Sequence, residues 1–198
     1  MKKIILIYIL IFSLKIIPTT NEITTETKEF INKTDIVGNL SIPNILDIPL
    51  VQTNNNEYYL NHNINKEIDI KGTEFIDYRN KPNDKQINIY GHNSTKHKVP
   101  FKELEKLLNK NIFNEDIYIY LNFNNIKRKY ILASITKTNN NIHMNINRKN
   151  TKEHINNILK NSIYKKDINY NNNTNIIVIQ TCTLIKNNYY LIIGFEIN

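Results

Sequence analysis

The stretch from Ile117 to Phe123 constrains the fold of this chain more than any other. Ile117, Ile119, Leu121 and Phe123 alternate with Tyr118, Tyr120 and Asn122. A period of two puts every apolar side chain on one face of a strand, which must then be covered on that face alone. Residues 36–43, 48–52, 73–77, 86–90, 128–135, 176–182 and 189–197 are further runs of strand length. Turn material separates them, as at Asn80 to Asp84 and Lys186 to Asn188. Glu57 to His62 reads as a helical turn. Two segments depart from the strand period. Phe101, Leu104, Leu107 and Leu108 after Pro100, and Ile155, Ile158, Leu159 and Ile163 after the N-cap candidate Thr151, predict amphipathic helices over 101–109 and 151–162. Many short strands interrupted by two helices predict a mainly β fold, a closed β-barrel of about eight strands, and not a parallel α/β sheet.

The 198 residues suffice for one domain with a short appendage. Met1-Lys2-Lys3 precedes an apolar run to Leu14, then Lys15, Ile16, Ile17 and Pro18. A positive flank and an apolar core are the parts of an export signal. The run is shorter than the roughly 20 residues of a spanning helix, but Ile16 and Ile17 extend it if Lys15 snorkels. No small-x-small cleavage site follows. The reading is therefore a signal or membrane anchor over 1–18, a tether or short helix over 19–34, and a domain over 35–198. That places the domain at the extracytoplasmic face of the cell membrane, held by its N-terminal anchor, with Lys2 and Lys3 inside. The net charge of +8 comes almost wholly from scattered lysines, the arginines being Arg79, Arg128 and Arg148. No arginine–aromatic stripe accompanies them, which speaks against a nucleic-acid partner. The asparagine runs at 139–141 and 171–173 reflect compositional bias.

Cys182 is the only cysteine, so no internal disulfide forms and the thiol is either idle or chemically employed. It ends the apolar run that begins at Ile176. A second such run ends in Ile89-Tyr90-Gly91-His92. At neutral pH a thiol is only a few per cent thiolate, and a nearby imidazole raises that share or protonates a leaving amine. Strand-terminal Cys182 and His92 are thus a candidate nucleophile and base, although an idle thiol and a turn histidine explain the same two residues. His62, His97, His143 and His154 lack ligand spacing, and the four glycines are isolated. Neither a metal nor a cofactor is expected.

The words around these two residues carry a resemblance. Asn56-Glu-Tyr-Tyr-Leu-Asn-His62, Phe75-Ile-Asp-Tyr-Arg-Asn80, Ile89-Tyr-Gly-His-Asn93 and Gln180-Thr-Cys-Thr183 stand in the order and spacing of the class B sortases. Over Asp35 to Ile197 the chain resembles that family, including the helix after the histidine and the helix inserted before the cysteine strand. The resemblance implies a sortase-like eight-stranded barrel and a cysteine transpeptidase. Cys182 would attack a Thr carbonyl in a C-terminal sorting signal, often of the Asn-Pro-x-Thr-x type, and His92 would protonate the departing amine. An amine of cell-wall precursor or of a pilin would then resolve the thioester. Asn56, Leu60, Tyr90, Gln180 and Thr181 match the substrate groove, with Gln180 where the family more often has Ser. The family's oxyanion arginine would fall eight residues after the cysteine, and Tyr190 stands there. By that reading the chain is a divergent member, and Lys186 or Arg79 are the other groups that could serve. Two alternatives stay open: a weak or inactive pseudo-sortase that binds peptides, and a wall-associated structural barrel with an incidental thiol.

Overall fold

The alternating run is a strand, and its neighbours close on it. The computed structural model of the protein describes residues 35–139, 151–183 and 188–197. In chain order the elements begin with β1 (Ile36–Ile42), β2 (Leu46–Val51), a short 3-10 turn (Tyr58–Leu60), β3 (Phe75–Ile76) and β4 (Gln86–Gly91). A 3-10 helix (Pro100–Leu108), α1 (Lys110–Asn114), β5 (Tyr118–Phe123) and β6 (Ile126–Thr138) follow. α2 (Thr151–Leu159), β7 (Ser162–Lys165), β8 (Ile176–Cys182) and β9 (Tyr189–Glu196) complete the described residues.

The strands run β5-β1-β2-β3-β4-β8-β9-β6, and β5 pairs with β6 to close an eight-stranded barrel. The expected mainly β architecture therefore forms. Closure removes free sheet edges. β6 is 13 residues long, so it pairs with β5 along its first half and with β7 and β9 further on. Asn124 and Asn125, at φ 47° and 67°, form the two-residue turn between β5 and β6. That turn needs positive φ at both positions, which asparagine tolerates better than most residues.

Leu40, Leu50, Ile76, Ile87, Ile89, Ile119, Leu121, Tyr130, Ile177 and Ile179 fill the barrel, and Phe101, Leu104 and Leu107 cap it. These three capping residues recur every third position. That is the period of a 3-10 helix, and the helix expected over 101–109 takes that form. On the outer face Ile155 and Leu159 of α2 cover Ala133, Ile176, Val178, Leu191 and Ile193. Burial on both sides explains why residues 176–179 are continuously apolar and do not alternate. The helix expected over 151–162 stops at Leu159. Ser162 ends it: its hydroxyl donates to the Leu159 carbonyl at 2.7 Å and lies 2.7 Å from the Ser134 hydroxyl on β6, so the chain leaves as strand β7.

The anchor over 1–18 and the tether over 19–34 lie outside the described residues, as does His143. The expected location at the cell membrane is corrected here. Among the described residues no helix is long and apolar enough to cross a membrane.

Candidate active site

A parallel pairing in this mostly antiparallel barrel brings the two candidate residues together. β4 and β8 run side by side with Gly91 opposite Thr181, so both strands end at the same rim. The next residues are His92 and Cys182. A parallel neighbour needs a long crossover, here the 3-10 helix, α1, β5, β6, α2 and β7 between the two strands. Gly91 is required at this junction. A Cβ there would lie 2.6 Å from the Phe101 ring and 2.7 Å from Glu74 Cγ.

His92 is seated by the last residue of the first 3-10 turn and by Gly72 in the loop that follows it. Its Nε2 lies 2.7 Å from the Leu60 carbonyl oxygen. A carbonyl only accepts, so Nε2 carries the hydrogen and Nδ1 is the basic nitrogen. The edge of the ring packs over Gly72, where an added Cβ would sit 3.1 Å from His92 Cδ2. Gly72 has φ +63°, a left-handed backbone that favours glycine.

Cys182 is half-buried, and burial pushes its thiol above the ordinary range. Asn93 ties the cysteine strand to the histidine strand. Its amide nitrogen donates to the Cys182 carbonyl at 3.0 Å and to Glu105 Oε1 at 2.7 Å, while Lys102 holds the other Glu105 oxygen at 2.6 Å.

The thiol and the imidazole open onto a groove of about 680 Å³. Asn56, Leu60, Tyr90, Gln180 and Thr181 all line it, together with Phe75, Tyr78, Arg79 and Tyr189. The wall is organised by Asp77, whose carboxylate is wholly buried. Arg79 donates to it from Nε at 2.9 Å and Nη2 at 2.7 Å, and Asn56 and the Tyr90 hydroxyl each donate at 3.0 Å. Burial alone raises this carboxyl, but those donors outweigh it and hold Asp77 below the usual carboxylate range. Asn56 and Tyr90 are therefore turned onto Asp77 as well as facing the groove. The Thr181 hydroxyl is likewise engaged, donating to the Gly91 carbonyl at 3.0 Å. Gln180 is 7% exposed, and its Oε1 has no partner among the described residues. Among those residues no cluster of His, Cys, Asp and Glu is placed to hold a metal ion.

No protein-family model matches the chain. Sortase B of Listeria monocytogenes is 41% identical over 100 residues, a match covering 46% of this chain and 40% of that protein. The Clostridium perfringens sortase B structure superposes with a TM-score of 0.75 at 26% identity, covering 86% of this chain and 99% of the other. A Streptococcus pyogenes class B sortase involved in pilus biogenesis superposes at 0.74 with 24% identity, covering 87% and 98%. This chain has the fold of the class B sortases and is similar in sequence to sortase B over about half its length.

Against that family frame, the placement of Tyr190 differs from the sequence expectation. In the β8–β9 hairpin Tyr190 pairs with Thr181, and its side chain packs at the margin of the barrel core beside Leu104, Leu108 and Ile192. Tyr189 pairs with Cys182 and lines the groove. A one-residue shift in a strand moves a side chain to the opposite face, so the structure does not bring Tyr190 to the thiol. Lys186 lies outside the described residues. Arg79 lines the groove but is committed to Asp77. Sequence reasoning also missed Asp77 and Asn93 as organisers, although both sit inside quoted family words. An aspartate flanked by Phe75, Ile76, Tyr78 and Arg79 was the available signal for a buried, paired carboxylate. His62, by contrast, is satisfied locally, with Nδ1 2.8 Å from the Tyr58 carbonyl and its ring stacked on Tyr58.

Proposed function

We propose that this chain is a cysteine transpeptidase that cleaves a C-terminal sorting signal after Thr and transfers the protein to an amine. The observation that carries the reading is the parallel β4–β8 pair, which sets His92 and Cys182 at one rim of a peptide-sized groove. Cys182 is the nucleophile. Its thiol proton passes to His92 Nδ1, its sulfur bonds to the Thr carbonyl carbon, the C–N bond breaks, and the amine leaves with that proton from His92. An amino group of cell-wall precursor or of a pilin then attacks the thioester, gives a proton back to His92 and releases the thiolate. Asn56, Leu60, Tyr90, Gln180 and Thr181 form the peptide groove, and the domain from Asp35 onward carries the chemistry. The pilus role of the Streptococcus relative makes a pilin amine one acceptor class worth testing.

Incubation with Asn-Pro-x-Thr-x peptides should yield an acyl adduct on Cys182 by mass spectrometry, together with the freed C-terminal fragment. Cys182→Ala should abolish both, and cleavage that survives this substitution sinks the mechanism. A second reading, a peptide-binding pseudo-sortase, draws on the raised thiol and on the commitment of Arg79 to Asp77. It expects peptide binding by calorimetry with no adduct.

A further inference from the structure

Attack of the Cys182 thiolate on a peptide carbonyl moves the C=O π pair onto oxygen, and the resulting oxyanion needs a donor pointed at it. Most donor side chains of the groove are already engaged. Arg79, Asn56 and the Tyr90 hydroxyl donate to Asp77, and the Thr181 hydroxyl donates to the Gly91 carbonyl. Gln180 sits one side-chain repeat back along β8, opposite Leu191. Tyr189 is different. It pairs directly with Cys182, lines the same groove, and no hydrogen bond among the described residues occupies its hydroxyl.

The hairpin register brings the pair closer still. The Thr183 N–H donates to the Asn188 carbonyl at 2.8 Å, and the Glu196 N–H donates to the Asn175 carbonyl at 2.9 Å. Hydrogen-bonded pairs alternate with non-hydrogen-bonded ones along an antiparallel ladder. Thr183–Asn188 is a bonded pair, so Cys182–Tyr189 is a non-bonded pair. Such pairs have the closer Cα atoms, about 4.5 Å apart, and side chains on one face.

We infer that Tyr189, and not Tyr190, is a catalytic residue that stabilises the oxyanion, its phenol hydroxyl donating a neutral hydrogen bond without transferring its proton. The inference rests on the proposed transpeptidase reading. When the tetrahedral adduct collapses, the electron pair returns to form C=O, the C–N bond breaks and the amine takes its proton from His92. The Tyr189 hydrogen bond then weakens, and the thioester remains. A neutral donor is about half as strong as a charge-assisted one, so arginine at this position should do better.

The test is the single-turnover rate of Cys182 acylation by an Asn-Pro-x-Thr-x peptide, followed by mass, for the full chain and its variants. Tyr189→Phe should slow acylation about tenfold or more while peptide affinity changes less than threefold. Tyr189→Arg should match or exceed the parent rate. Thermal melts of both variants should stay close to the parent, since the hydroxyl makes no hydrogen bond among the described residues. Acylation of the parent with an unchanged Tyr189→Phe rate overturns the inference alone. So does a loss on Tyr190→Phe that Tyr189→Phe does not show. Absence of any adduct on the parent overturns both the inference and the reading beneath it.

Discussion

The two ends of the β8–β9 hairpin are built on opposite principles. At the Asn175–Glu196 end the charges are matched. Glu196 accepts from Arg128 Nε and Nη2 at 2.7 and 2.8 Å and from Asn175 at 2.6 Å, while Arg128 also donates to the carbonyls of Pro82 and Asp84. At the Cys182–Tyr189 end the polar groups are under-matched. Gln180 Oε1 and Asn93 Oδ1 are buried without partners among the described residues. Glu74, opposite Gly91 on the adjoining β3–β4 pair, is 5% exposed and has no ion-pair partner among those residues. Unpaired buried polar groups cost stability, and proteins tolerate that cost where a ligand is to be met. One end is tied by matched charges; the other carries buried polar groups without partners among the described residues.

Three measurements press on that contrast. The largest effect belongs to the matched end. Arg128→Ala leaves Glu196 half-buried without its cation and should destabilise the domain by about 3–5 kcal/mol in urea unfolding. Burial alone raises Glu196, but Arg128 and Asn175 outweigh it and hold the carboxyl below its ordinary range. A lowered folded-state value gives stability that is present above the unfolded value and is lost as pH falls through the folded one. The variant should show a shallower acid-side loss than the parent. A melt unchanged by Arg128→Ala would erase the contrast.

The next effect has the opposite sign. Burial raises Glu74 from 4.5 to about 7. The folded state then holds a proton that the unfolded chain has already lost, so stability falls as pH rises from about 4.5 to about 7. Glu74→Gln should remove that fall and stabilise the domain at pH 8 by at most about 3 kcal/mol. Parallel melting curves for parent and variant from pH 4 to pH 8 would break the prediction. The smallest effect is kinetic. Burial raises the Cys182 thiol, so its alkylation by iodoacetamide should reach half-maximal rate above about pH 8.5, later than a free thiol. A midpoint below pH 8 would mean that the resting site already holds a thiolate.

The barrel was legible in the sequence because its strands obey a local rule. Period-two alternation at 117–123 and a continuous apolar run at 176–179 follow from burial on one or both faces, and each window states its own answer. Strand β7 was missed because Ser162 and Ile163 extend the helical spacing of α2. Only the hydroxyl contacts of Ser162 to Leu159 and Ser134 turn the chain there. In the site, Cys182 and His92 stood out as strand-terminal residues, and the five expected groove residues do line one groove. The bonds from Tyr90 to Asp77, from His92 to the Leu60 carbonyl and from Asn93 to the Cys182 carbonyl join residues 13, 32 and 89 apart in the chain, which no local window contains.

What the amino-acid sequence by itself determined is therefore the strand periodicity, the single thiol and the ordered family words that relate the chain to class B sortases. What only the tertiary structure decided is which side chains meet the thiol. The β4–β8 register sets His92 beside Cys182, and the β8–β9 register turns Tyr189 toward the groove and Tyr190 into the barrel wall. The physical reason is the pleat. Successive side chains of a strand face opposite ways, so a difference of one residue in register exchanges a core side chain for a site side chain.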